Sequence, residues 1–234
     1  MKKVLGILAT AGAAASANAS VLLHNNGPVF DIPGPPAVSQ LFSPGTVFGF
    51  GAQGGTINNT VADDFTVPAP GWNVKRLTFF MYQTGAGPTN FTFTGVSFDI
   101  VADILTPWTN PAPVVPGNGG FVAFRRLNTD LTGTTRAIYA LEVPVSITLA
   151  PGTYWLRWNA TGTLASGPWQ PPVVPHGPGN AMQSIGGGAF AAIQNGTYGD
   201  GEELPFLIWG EVIPAPGSLA LLGLGGMIAG RRRR

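Results

Sequence analysis

The stretch "TGVSFDIVADIL", Thr94–Leu105, decides the fold. Val96, Phe98, Ile100, Ala102 and Ile104 fall on one face of an extended chain, and Ser97, Asp99, Val101 and Asp103 on the other. A period of two with apolar residues on one side is the pattern of a half-buried β-strand. Similar segments are Val61–Val67, Trp72–Gln83, Phe121–Asn128, Thr135–Val143, Gly152–Ala160 and Leu204–Val212. Turn clusters such as "TGAGPTN", "TPWTNPAPVVPGNGG", "QPPVVPHGPGN" and "GTYGDGEE" separate them. No helical period of useful length lies between them, and parallel strands need such crossovers, so the strands should be antiparallel. The expected fold is all-β: an antiparallel two-sheet sandwich of jelly-roll type, flanked by an N-terminal signal helix and a short C-terminal transmembrane helix.

Composition fits that reading. The 34 glycines and 22 prolines of the 234-residue chain punctuate apolar runs instead of forming one tract. There is no cysteine, which removes thiol catalysis, disulfides and thiolate metal sites together. The formal charge of +1 hides an asymmetry. Lys2, Lys3, Arg231, Arg232, Arg233 and Arg234 are six of the twelve basic residues, and all eleven acids lie in Ser20–Ile213, which carries −5. A nucleic-acid partner is not expected, because binding phosphates needs a basic face. The basic residues of that segment (Lys75, Arg76, Arg125, Arg126, Arg136 and Arg157) are scattered and read as solvated strand faces.

Three divisions follow. Residues 1–19 read as a secretory signal: a Lys2-Lys3 start, an apolar stretch Val4–Ala15, and small residues Ala17 and Ala19 where signal peptidase reads, with the cut after Ala19. Ser20–Ile213 is the domain, long enough for a core of its own. The third is "PAPGSLALLGLGGMIAGRRRR", Pro214–Arg234. As a helix, Pro214–Gly230 extends about 26 Å, near the lower limit for a bilayer core of about 30 Å. The four arginines Arg231, Arg232, Arg233 and Arg234 can snorkel to headgroups and act as a membrane stop that keeps the main domain outside.

That tail resembles the PEP-CTERM sorting signal of bacteria. The resemblance implies processing near Pro214-Ala215-Pro216-Gly217 by an exosortase-like membrane transpeptidase, then release or transfer to the cell surface. The family's usual motif is Pro-Glu-Pro, and this chain has alanine in place of the glutamate. A plain C-terminal anchor is the alternative. The segments "ADDFTVPAPGW" (Ala62–Trp72), "YQTG" (Tyr82–Gly85), "LAPGTYWLRW" (Leu149–Trp158) and "GTLASGPW" (Gly162–Trp169) are similar to a motif series in secreted bacterial β-sandwich proteins. That likeness implies the fold and no activity.

Catalytic patterns are sparse. His24 and His176 are the only histidines, and neither a zinc-protease pattern nor a G-x-S-x-G turn is present. Asp99 and Asp103 on one strand face would lie about 13 Å apart, too far for a glycosidase pair. Asp63 shares a face with Val61 and Phe65, so it needs hydrogen-bond donors and is expected to fix a neighbouring loop. "YGDGEE" places Asp200, Glu202 and Glu203 before the last strand, and with Asp64 they are the candidate set for a calcium ion. Trp108, in a Pro-rich loop, is the candidate for stacking on a sugar. The leading expectation is an exported, non-enzymatic cell-surface or extracellular-matrix protein without a resident cofactor. It would meet signal peptidase, the transpeptidase and, through the tail, the membrane. A secreted carbohydrate-binding module that takes extracellular polysaccharide is second, and a secreted hydrolase using Asp64 or His176 is third.

Overall fold

The computed structural model describes residues 20–42 and 47–214. The expected signal segment with Ala17 and Ala19 lies outside the described residues, as do Ala215, Pro216 and Gly217 of the expected sorting motif and the apolar run that follows them. The expected membrane stop, Arg231, Arg232, Arg233 and Arg234, also lies outside them, and so do both expected flanking helices. Among the described residues there is no helix, and none therefore long and apolar enough to cross a membrane.

The domain is all-β. Its larger sheet has the order β1-β13-β5-β8-β7-β2, built from β1 (Val21–Asn25), β2 (Val38–Leu41), β5 (Trp72–Met81), β7 (Gly117–Leu127), β8 (Ala137–Leu149) and β13 (Phe206–Val212). The smaller has the order β12-β11-β4-β9-β6, built from β4 (Thr60–Val67), β6 (Phe93–Val101), β9 (Gly152–Gly162), β11 (Met182–Ser184) and β12 (Ala191–Ala192). β3 (Phe50–Gly51) and β10 (Trp169–Gln170) form a separate pair. The two large sheets pack face to face through rings: Phe79 and Trp158 at 5.4 Å, Trp158 and Phe206 at 5.8 Å, Phe65 and Trp72 at 6.1 Å. Alternation explains this core: Val61, Phe65 and Val67 of β4 and Leu156, Trp158 and Ala160 of β9 all point inward and are buried. On β5 the inward set is Trp72, Val74, Leu77, Phe79 and Met81, and the extra residue at a bulge between Val74 and Arg76 restores its parity.

Four expectations change. First, the pairing is not wholly antiparallel: β2 runs parallel to β7, Val38 opposite Phe124. Short β2 arrives at the sheet edge from a distant part of the chain, which satisfies the long connection a parallel pair needs. Second, β6 ends at Val101 and does not run to Leu105. The Asp103 carboxylate accepts the Leu105 N–H at 2.9 Å, an Asx turn that swings the chain off the sheet. Third, β8 continues through Pro144 to Leu149. Its pairing with β7 stops at Glu142, so Pro144 sits where that side of the strand has no ladder to break. Fourth, the arginines are not all solvated: Arg125, Arg126 and Arg157 are buried. Segments on the outer faces roof them. Thr106 and Trp108 lie against Arg157 on the outer face of the smaller sheet, and Val114 bridges Val96 at its β6 edge. A second apolar cluster around Phe80, Tyr82 and Ile138 lies on the other side of the larger one.

Candidate functional site

Strand parity and two loops bring the titratable groups into three clusters. In the first, the imidazole of His176 lies between carboxylates, Nε2 2.8 Å from Asp200 Oδ1 and Nδ1 3.1 Å from Glu202 Oε2. Tyr198 stacks on the ring at 4.5 Å, and the Asn195 amide donates to Glu202 Oε1. Asn195 Oδ1 accepts the N–H groups of Thr197 and Tyr198, so one side chain both shapes the loop and holds the acid. Burial pushes the Glu202 carboxyl up, against the pull of Asn195, His176 and Arg125. Burial lowers the Arg125 guanidinium to about 10, so it stays charged at neutral pH. Arg125 donates to Phe48 O, Ser39 Oγ and Gln40 O. Both ring nitrogens of His176 are thus engaged by carboxylate oxygens.

The second cluster ties the first strand to the last. Asp63 is fully buried, and its carboxylate accepts from Leu204 N at 2.7 Å, Asp64 N at 2.8 Å and Asn26 Nδ2 at 2.9 Å. It therefore fixes the entry to β13, as its place beside Val61 and Phe65 predicts. Asn26 Nδ2 also reaches Glu203 Oε2 at 3.0 Å, while His24 Nε2 lies 3.0 Å from Asn26 Oδ1. The His24 ring packs between Phe65 and Phe206. Burial, then the neighbouring Glu203 carboxylate, hold Asp63 well above the usual carboxyl range, despite its three donors. Burial lowers His24.

These two shifts give opposed pH limbs. A raised acid stabilises fully below its unfolded value near 4 and loses that contribution as pH climbs towards its folded value. A lowered histidine stabilises fully above about 6.5 and loses its contribution as pH falls. Above about pH 6.5 only the first limb operates. Hydrogen-exchange protection of the β1 amides should then fall with rising pH, on the order of tenfold per pH unit at most, the limit for one proton. Asp63→Asn should flatten that limb. An unchanged slope in the variant would assign it to other groups.

In the third cluster, Arg157 on the outer face of β9 makes a two-pronged pair with Asp99 of β6, at 2.7 and 2.6 Å. It also donates to Thr106 O at 2.5 Å, and lies 5.4 Å from the Trp108 ring and 5.5 Å from that of Phe190. Trp108 is half-buried, its indole N–H on Asn58 Oδ1 at 3.3 Å, so it is less open than its Pro-rich loop predicts. The four calcium candidates do not converge. Asp200 and Glu202 hold His176, Glu203 holds Asn26, and Asp64 lies towards His24. Among the described residues no group of three or more His, Cys, Asp or Glu is placed to hold a metal ion.

Open volume lies elsewhere. The hollow lined by His176, Glu202 and Arg125 measures about 30 Å³, room for about one water. Larger hollows of about 500 and 380 Å³ flank Trp169, and one of about 340 Å³ runs between Trp108 and Phe190. None of those three has an ionisable side chain in its lining.

No protein-family model, curated protein or solved structure matches this chain. Its chemistry rests on its own geometry. Sequence reasoning missed Asn26 and Asn195, the two amides that bind the acidic clusters together. The only signal for them was position: Asn26 lies two residues beyond His24, and Asn195 lies five before Asp200.

Proposed function

We propose that this chain is an exported, non-enzymatic cell-surface or extracellular-matrix protein, with a β-sandwich body that binds and does not transform. One separation supports this reading. His176 and Glu202 line a hollow with space for about one water, and the three larger hollows at Trp169 and Trp108 carry no acid or base. General acid–base catalysis needs both in one place. The alternation of β4, β5, β6 and β7 between the two sheets supports a jelly-roll topology, which β8 interrupts by staying beside β7 in the larger sheet.

The limits of the body support the processing scheme. β1 begins at Val21, two residues after the cut expected at Ala19, and β13 ends at Val212, two before Pro214. The two strands pair, Val21 opposite Gly210. Signal peptidase and an exosortase-like transpeptidase can therefore each remove a segment without touching a strand. Intact-mass measurement of surface material, paired with fractionation, tests this. The expected mass lacks residues 1–19 and the segment after the Pro-Ala-Pro-Gly motif. A mass that retains Pro214–Arg234 makes the tail a plain anchor. The uncharged hollows also favour the carbohydrate-binding reading as second. Turnover of a sugar or ester that is lost on changing Asp64 or His176 would instead establish the hydrolase.

A further inference from the structure

We propose that the groove astride Trp169 is a binding site for a neutral polysaccharide segment. This deepens the reading of a non-enzymatic extracellular binding body and rests on it. β10 and β3 pair antiparallel with Trp169 directly opposite Gly51, so the indole and the missing glycine side chain lie on one face of the pair. A Cβ on Gly51 would lie 2.7 Å from Gln53 Oε1, 3.1 Å from Asn59 Nδ2 and 3.5 Å from Gln183 Nε2. Three side-chain carboxamides thus converge over a bare stretch of backbone beside a tryptophan. They are held there: Asn59 donates to Gln53 at 2.7 Å, Gln183 donates to Gly51 O at 2.8 Å, and Asn59 Oδ1 accepts from Gly186 N at 2.9 Å. Each amide nitrogen still has a second hydrogen to offer a ligand.

Trp169 lines both hollows, of about 500 Å³ and about 380 Å³, each in the range of ligand sites, roughly 300–1,000 Å³. Ser166 and Gln194 add neutral polar groups, and Val47, Ile57 and Ile185 give an exposed apolar rim. An aromatic face with amides and no charge suits sugar rings, which present C–H faces and hydroxyls. It does not suit an anionic or cationic polymer. Strand addition by a peptide is disfavoured at this place, because the Trp169 backbone already bonds Tyr82 on one side and pairs with β3 on the other.

The test uses the purified full chain and soluble neutral glucans, a mixed-linkage β-glucan and dextran, in affinity gel electrophoresis and tryptophan fluorescence titration. Retardation by at least one glucan is expected, with little dependence on salt because no charged side chain lines the groove. Affinity should fall at least roughly tenfold in Trp169→Ala, as for a central aromatic anchor. Trp169 also packs on a core cluster, so Gln183→Leu is the second variant: losing its bond to Gly51 O should lower the melting temperature by no more than about 6 °C, leaving the domain folded, and still weaken binding several-fold. Trp108→Ala should leave glucan binding unchanged. The proposal is overturned by no retardation with either glucan, by full binding in both groove variants, or by a tryptophan-fluorescence response to an apolar peptide but to neither glucan. The mass measurement on the tail reads a different event, so either result can fail without the other.

Discussion

Asp99→Ala is expected to cost about 3 kcal/mol of stability, and to lower the melting temperature by about 6–12 °C at roughly 2–4 °C per kcal/mol in a domain of this size. The reason is what remains. The Arg157 side chain is fully buried while that of Asp99 is 24% exposed, so removing the acid leaves a guanidinium shut in with only Thr106 O to receive its hydrogens. Breaking a buried pair from one side costs about 3–5 kcal/mol, and the partial exposure of Asp99 places this one at the lower end. Removing both charges, as Asp99→Leu with Arg157→Met, should recover most of the loss, because packed apolar groups of similar volume often replace such a pair at little cost. Thermal unfolding of the two variants checks this. A single variant that melts within about 2 °C of the parent, on the same scale, would mean that water reaches Arg157 from the loop side.

Trp158→Ala should be at least as damaging, at about 3–5 kcal/mol for the packing alone. The ring is fully buried between the sheets against Phe79 and Phe206. Its N–H donates to Gln170 Oε1 at 3.0 Å, and Gln170 is itself fully buried. Truncation therefore opens a cavity in the main core and strands an acceptor, which adds about 1–3 kcal/mol. Trp158→Phe keeps most of the ring and removes only the donor, so it should lose the smaller sum. Urea unfolding reads both: midpoints should fall in that order with the slope unchanged. Equal losses in the two variants would mean that the hydrogen bond, not the ring's volume, fastens β9 to β10.

The long strands are legible in the sequence because their period of two spans enough residues to exceed chance, as in Val61–Val67 and Gly152–Ala160. Six short strands among the described residues are not, since two to five residues bounded by Gly and Pro carry no period. Asp63 is readable from parity alone: between Val61 and Phe65 it has to be inside and has to be bonded. The burial of Arg157 is not, because it depends on a roof from the 102–116 segment that no local pattern announces. His176 and "YGDGEE" are each visible, yet nothing in a chain separation of about 24 residues says that an imidazole will lie between two of those acids. The prolines around Trp108 suggest an open ring, but Asn58 holds the indole against the sheet. Trp169 carries no mark that sets it apart from the other tryptophans, since the amides that frame it come from two distant segments, the stretch between β3 and β4 and strand β11.

The adjacency of β1 and β13 fixes how the body hangs. Val21, Gly210 and Val212 lie at the end of the larger sheet where β5 starts at Trp72, and Tyr82, just past the other end of β5, bridges to Trp169. Ten residues of extended chain measure roughly 33 Å at about 3.3 Å each. Chain running on from either end of the described body therefore leaves at one pole of the larger sheet, and Trp169 lies near the other.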